Sequence, residues 1–224
     1  MISFSDDLAA GNVKPHHMKR INLPNQITLA RLVMAIIFFF GMAQFDARQA
    51  EPNILLLDVC AGLFAVAAIT DAIDGYLARK QNQITSFGRM FDPFVDKILV
   101  IGAYIFLAGD GFHDPAGRRL SDVADWMVVV ILGRELLVTC LRGATEASGQ
   151  DFSANLHGKA KMVLQSVTVV WVMLTVGHSE AFPRLLVMLR PWMVYLTVLV
   201  TVLSGFPYLR MARGVLSQTS RSNP

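Results

Sequence analysis

The sequence predicts an all-α integral membrane protein of six transmembrane helices, preceded by a short cytoplasmic or interfacial N-terminal segment. Three observations carry that expectation. Of the 224 residues, 54% are apolar and only 17% charged, with a mean hydropathy of +0.47, whereas a soluble domain carries about a quarter charged residues. The apolar residues fall in six continuous runs, not in the alternation of a half-buried strand. The basic residues collect on alternate connections between those runs. The same composition excludes a disordered chain, a nucleic-acid-binding tail protein and a small disulfide scaffold.

Each element follows in order. The first twenty residues are polar and lack the apolar core of a cleavable leader, so 1–20 reads as a cytoplasmic segment in which His16 and His17 are solvated. The membrane domain covers 21–213, with apolar runs at about 25–45, 54–79, 88–109, 123–143, 158–177 and 185–212, and 214–224 is a cytoplasmic tail. A spanning helix needs about 20 residues, so six use about 120 and leave no separate soluble domain. The strongest runs are 32–45, 98–108, 163–176 and 194–203. Cys60 and Cys140 lie inside apolar runs without a CxxC pairing, which predicts buried thiols. With both termini inside, 15 of the 20 basic residues face the cytoplasm, leaving Arg48, Arg118, Arg119, Arg184 and Arg190 outside. Ala61, Ala65, Ala68 and Ala72 form a small-residue strip for helix packing. Met173, Met188 and Met193 read as packing or lipid-facing, and Trp126, Trp171 and Trp192 as an interfacial belt. Pro93 either opens the third span or kinks it.

The acids are the informative residues. Asp71, Asp74, Asp92 and Asp96 fall within 26 positions of a strongly apolar chain, where acids are costly and face a cavity or a partner. Asp71 and Asp74 are spaced i,i+3 and Asp92 and Asp96 i,i+4, so each pair shares one helical face. Gly75, Ala78 and Gly88 keep those faces open to a ligand or a neighbouring backbone. Four carboxylates in a low-dielectric site require protonation or divalent cations. Hard oxygen donors without Cys or His favour Mg²⁺ or Mn²⁺ over zinc, and such sites commonly handle phosphate. Arg79, Lys80 and Arg89 suit the same ligand class. Salt bridging, for example of Asp71 or Asp74 with Arg79, is the blander reading, and it leaves several acids unpaired.

The pattern Asp71-x2-Asp74-Gly75-x2-Ala78-Arg79-x8-Gly88-x3-Asp92-x3-Asp96 resembles the signature of the CDP-alcohol phosphotransferase family at all eight fixed positions. Pro24-Asn25-x2-Thr28-x2-Arg31 is similar to the family's N-terminal segment. The resemblance implies a six-span membrane enzyme, a homodimer with its site on the cytoplasmic side, transferring a phosphatidyl group from CDP-diacylglycerol to an alcohol with release of CMP; without a targeting peptide, a bacterial inner membrane is its simplest home. It also implies that the four aspartates hold two divalent cations, Asp71 and Asp92 bridging, with Asp96 also the general base. Asn25, Thr28, Arg31, Gly75, Ala78, Arg79, Thr85 and Gly88 then contact the CDP-lipid.

The second half of the chain must specify the acceptor. Arg134, Arg142, Lys159 and Lys161 form a cationic cluster offset only by Glu135 and Glu146, and cations of this kind suit a phosphorylated alcohol. The segments Arg134-Glu135-Leu136-x5-Arg142 and Gly158-Lys159-x-Lys161 resemble those of the family members that accept sn-glycerol 3-phosphate, with Met162 where those enzymes often carry Thr. A different acceptor such as inositol phosphate stays open within the class. A cation transporter is the rival from another class, but it calls for acids spread through the membrane depth, and these are gathered at one end beside arginines.

Overall fold

The computed structural model describes residues 23–81, 86–147 and 156–208. Among the described residues the chain is built of helices: α1 (Leu23–Gln44), α2 (Ile54–Gln81), α3 (Ser86–Ala108), α4 (Asp125–Ala147), α5 (Leu156–Gly177), the short α6 (Arg184–Met188) and α7 (Arg190–Leu203), with a 3-10 turn at Asp110–Phe112. Three segments, Ile54–Asp71, Ala160–Gly177 and Arg184–Tyr208, are long and apolar enough to cross a membrane. Leu29–Gln44 and Lys97–Ala108 are shorter apolar stretches, which makes the chain a helical membrane protein. The expected segments 1–20 and 214–224 lie outside the described residues.

Local chemistry sets two of the boundaries. The apolar run at 185–212 is divided at Leu189, because Pro191 falls in the first turn of α7, where its missing N–H is harmless but cannot continue the ladder of α6. Pro93 does not open a helix: it lies seven residues beyond Ser86, and α3 runs through it.

The helices close into a ring: α1 packs on α2, α2 on α5, α5 on α7, α7 on α4, α4 on α3 and α3 back on α1. α3 also reaches α5 and α2 across the middle. The buried face of α2 runs through Leu57, Cys60, Ala61, Phe64 and Ala67, and is centred on the Phe64 ring. The expected alanine strip therefore lies at the edge of that face, with Ala61 buried but Ala65 and Ala68 only partly so. α1 approaches α2 closely at Gly41, where a Cβ would stand 2.5 Å from Cys60 Sγ. Cys60 is buried, but Cys140 is exposed on α4, because its apolar run presents that side outward. Met173 is a packing residue with no exposed surface, while Met188 is mostly exposed.

A polar ladder joins α5 to α7 inside this apolar bundle. Gln165 Nε2 donates to Thr201 Oγ1 at 3.0 Å, and Thr168 and Thr197 share a hydroxyl bond of 2.7 Å. Tyr104 of α3 donates to the Gln165 carbonyl at 3.2 Å. Thr197 also donates to Met193 O and Ser204 to Thr201 O within their own helix and its end.

At one end of the ring the connections lock together. Ala47 N–H donates to Gly111 O at 2.8 Å, the Phe45 and Phe112 rings lie 4.9 Å apart, and Asp58 and Asp122 pair with His178 and Arg190. Gly111 has no room for a side chain there, since a Cβ would meet the Phe45 carbonyl at 2.5 Å. In the same connection, backbone N–H groups from Arg118 and Ala116 bind Asp114; the Arg118 bond leads in holding that carboxyl below its usual range.

Candidate active site

Successive long helices alternate in direction, so the starts of α1, α3 and α5 and the ends of α2, α4 and α7 gather at the other end of the ring. Every site residue nominated from sequence that the structure describes belongs to that end. Helix rise puts Asp71 about 20 Å along α2 from the Asp58–His178 pair.

The first part of the site is an ion pair between α1 and α2. Arg31 is 3% exposed, and its Nη1 donates to Asp71 Oδ1 at 2.8 Å. A guanidinium on the packed face of an apolar helix is stable only with a counter-charge at the same depth. Asp71 supplies it from forty positions further along the chain. The bridge occupies Oδ1, and Asp71 keeps partial exposure.

The other acids are placed by backbone only. Asp74, Gly75, Ala78 and Arg79 lie in the closing turns of α2, and Gly88, Asp92 and Asp96 in the opening turns of α3. Both spacings, i,i+3 and i,i+4, are thus realised on helices, and the two helices pack on each other. The side chains of these residues and of Asn25, Thr28 and Lys159 are outside the described set, as is Thr85 altogether. Among the described residues no three His, Cys, Asp or Glu side chains form a metal-holding group.

The second part joins α4, α5 and the end of α7. Glu135 Oε1 accepts from Arg134 Nη1 at 3.0 Å and from Lys161 Nζ. All three side chains are buried, at 9%, 10% and 3% exposure for Arg134, Glu135 and Lys161. Arg134 Nη2 also donates to Ser204 O at 3.2 Å, and its guanidinium lies 5.8 Å from the Tyr208 ring centroid. Arg142 is two turns further along α4 and half-buried. Lys97, adjacent to Asp96 on α3, is close enough to act electrostatically on Lys161. The acid-bearing helix therefore adjoins the cationic group.

Among the described residues, two buried cations thus share one carboxylate, a net charge of one positive. Sequence reasoning treated Glu135 as a local offset and passed over Ser204 and Tyr208. The criterion that singled out the aspartates, an acid inside an apolar run, also applies to Glu135 and finds it. Ser204 and Tyr208 carried no such signal.

Comparison with known proteins gives the family context. The sequence model of the family described as CDP-alcohol phosphatidyltransferase matches residues 21–203. The chain is 36% identical over 192 residues to the CDP-diacylglycerol–glycerol-3-phosphate 3-phosphatidyltransferase of Bacillus subtilis (strain 168), covering 84% of this chain and 93% of that protein. It is 33% identical to a probable phosphatidylglycerophosphate synthase of Mycobacterium tuberculosis (strain CDC 1551 / Oshkosh), over 85% of this chain and 81% of the relative. A Rickettsia bellii (strain RML369-C) protein with the same name as the Bacillus one is 31% identical over 86% of this chain and 96% of its own length.

The Arg31–Asp71 bridge gives a direct test. Arg31→Ala leaves Asp71 without its counter-charge, whereas Arg31→Ala with Asp71→Asn removes both charges. A double-mutant cycle on unfolding in detergent should give a coupling on the order of 1 kcal/mol; a cycle that closes at zero shows that the bridge adds nothing to stability.

Proposed function

The chain belongs to the CDP-alcohol phosphatidyltransferase family and is an enzyme of that class, and from that premise we propose that it transfers the phosphatidyl group of CDP-diacylglycerol to sn-glycerol 3-phosphate, giving phosphatidylglycerophosphate and CMP. The observation that carries the choice of acceptor is the pairing of Arg134 and Lys161 on one buried carboxylate beside α3. A phosphorylated alcohol brings the anion that this group lacks. The names of the relatives from Bacillus and Rickettsia support the same acceptor.

Enzymes of this family generally use divalent metals. The donor set fits such ions: Asp71, Asp74, Asp92 and Asp96 offer only hard oxygens, and Asp71 keeps an oxygen outside its bridge to Arg31. On this reading the four aspartates would hold two Mg²⁺ or Mn²⁺ ions, which supply charge stabilisation at the pyrophosphate.

The chain's own residues do the rest. Arg31, Asn25 and Thr28 at the start of α1, with Gly75, Ala78, Arg79, Thr85 and Gly88 around the turn between α2 and α3, hold the cytidine diphosphate. Arg134 and Lys161, backed by Arg142 and Lys159, hold the acceptor phosphate and orient its free hydroxyl. Asp96 takes the hydroxyl proton as the oxygen attacks the phosphorus bearing diacylglycerol. The new P–O bond forms as the bond to CMP breaks, and no covalent enzyme intermediate is needed.

In the membrane, α1 to α5 and the α6–α7 segment make six crossings, with 1–20 and 214–224 as flanking segments. The site end carries Arg31, Lys97, Arg134, Arg142 and Lys161, and the other end Arg48, Arg118, Arg119, Arg184 and Arg190. This bias supports a bacterial inner-membrane protein with both termini and the site cytoplasmic.

The test is CMP release by purified protein given CDP-diacylglycerol and a panel of alcohols. sn-Glycerol 3-phosphate should be the preferred acceptor, with turnover lost on chelation and restored by Mg²⁺ or Mn²⁺; turnover only with inositol phosphate moves the chain to the other acceptor. Asp96→Asn should lower kcat by roughly 10²–10⁴-fold in a protein that still folds, and normal turnover sinks the base assignment. Arg134→Ala should raise the KM for glycerol 3-phosphate about tenfold or more. A change confined to the CDP-lipid KM removes Arg134 from the acceptor site.

A further inference from the structure

We propose that Glu135 is a positioning residue: its Oε1 holds Arg134 and Lys161 together as a ready-made phosphate-binding pair, and so sets the enzyme's preference for a phosphorylated acceptor. This rests on the acceptor site described above and adds a residue that does not itself touch the acceptor phosphate.

The geometry shows why a clamp is needed. α4 and α5 are not principal packing neighbours; each rests on α3 and α7. Arg134 and Lys161 thus reach toward each other from helices that do not hold one another in place. Two like charges in a buried site separate unless an opposite charge lies between them. Glu135 is that charge, and both cations converge on one of its oxygens.

The rest of the pair has supports of its own. Ser204 O and the Tyr208 ring hold the far side of the Arg134 guanidinium. Below Lys161, one and two turns further along α5, the Gln165–Thr201 and Thr168–Thr197 bonds pin that helix to α7. Glu135 holds the Lys161 ammonium and the Nη1 side of Arg134 together. Donors remain for a ligand, since Arg134 Nε is buried without a hydrogen-bond partner among the described residues and Lys161 uses one of its three N–H bonds on Glu135.

Charge arithmetic links the clamp to selectivity. Arg134, Glu135 and Lys161 together carry one net positive charge. A phosphate monoester offsets it, while an unphosphorylated polyol leaves it buried and unpaired. Glu135 keeps the two cations close enough to be met by a single phosphate group.

The experiment uses the full chain in detergent, with CDP-diacylglycerol saturating and sn-glycerol 3-phosphate varied. Glu135→Gln should raise the glycerol 3-phosphate KM about tenfold, hold the CDP-diacylglycerol KM within about twofold and largely spare kcat. Glu135→Asp, which keeps the charge, should recover most of the loss. In a Lys161→Gln background, adding Glu135→Gln should change the acceptor KM less than about threefold, because the clamp then has one cation to hold. An unmoved acceptor KM, a loss confined to kcat, no rescue by Glu135→Asp, or full multiplicative effects in the double variant overturns the proposal. If Glu135→Gln alone does not fold, Lys161→Gln with and without it decides by the same criterion, since the acid is then removed with its cation. Failure of the underlying acceptor reading shows separately, as wild-type protein that releases CMP with another alcohol but not with glycerol 3-phosphate.

Discussion

A charge inside a helical membrane bundle must meet its opposite at the same depth. Without water, an ion left alone in that interior costs several kcal/mol, and this constraint accounts for the placement of the buried charges. Arg31 finds Asp71 across the α1–α2 contact, and Arg134 and Lys161 find Glu135 across α4 and α5. Away from these pairs, the buried polar side chains among the described residues are those of the hydroxyl and amide ladder of α5 and α7, together with Thr175 and Ser121. The bundle therefore concentrates its buried charge at one end and leaves the middle to dispersion and close packing.

The ring topology makes that concentration available for chemistry. Because α3 closes the ring against α1 and also reaches α5, it packs on a helix from each charged region. Asp96 and Lys97 are consecutive, one belonging to the acid pattern and the other close to the cationic group. A reaction between a nucleotide-linked lipid and a phosphorylated alcohol needs its two anion sites next to each other. A single helix supplies that adjacency.

Much of this was legible in the sequence, and the reasons differ by feature. Continuous apolar runs located the helices, since lipid exposure suppresses every competing pattern, and the eight-position spacing identified the family. What the sequence could not show was partnership at a distance. Arg31 and Asp71 are forty positions apart in the chain but meet in space, because antiparallel packing brings the start of α1 to the end of α2. Glu135 looked like a minor offset because the second cation it meets, Lys161, is on a different helix. Cys140 was misjudged for a related reason: apolar surroundings in sequence mean lipid as often as core.

The ladder between α5 and α7 bears on how the protein is made. Thr197 and Ser204 already have acceptors in their own stretch of chain, at Met193 O and Thr201 O. These hydroxyls are satisfied before any second helix arrives. These two donors can thus enter a bilayer already satisfied, and the bonds across to α5 are added on docking. α5 is in the reverse position, since Gln165 directs its donor to Thr201 on α7. Biogenesis then has a built-in asymmetry: the segment synthesised earlier completes its polar bonds only when the later one is in place.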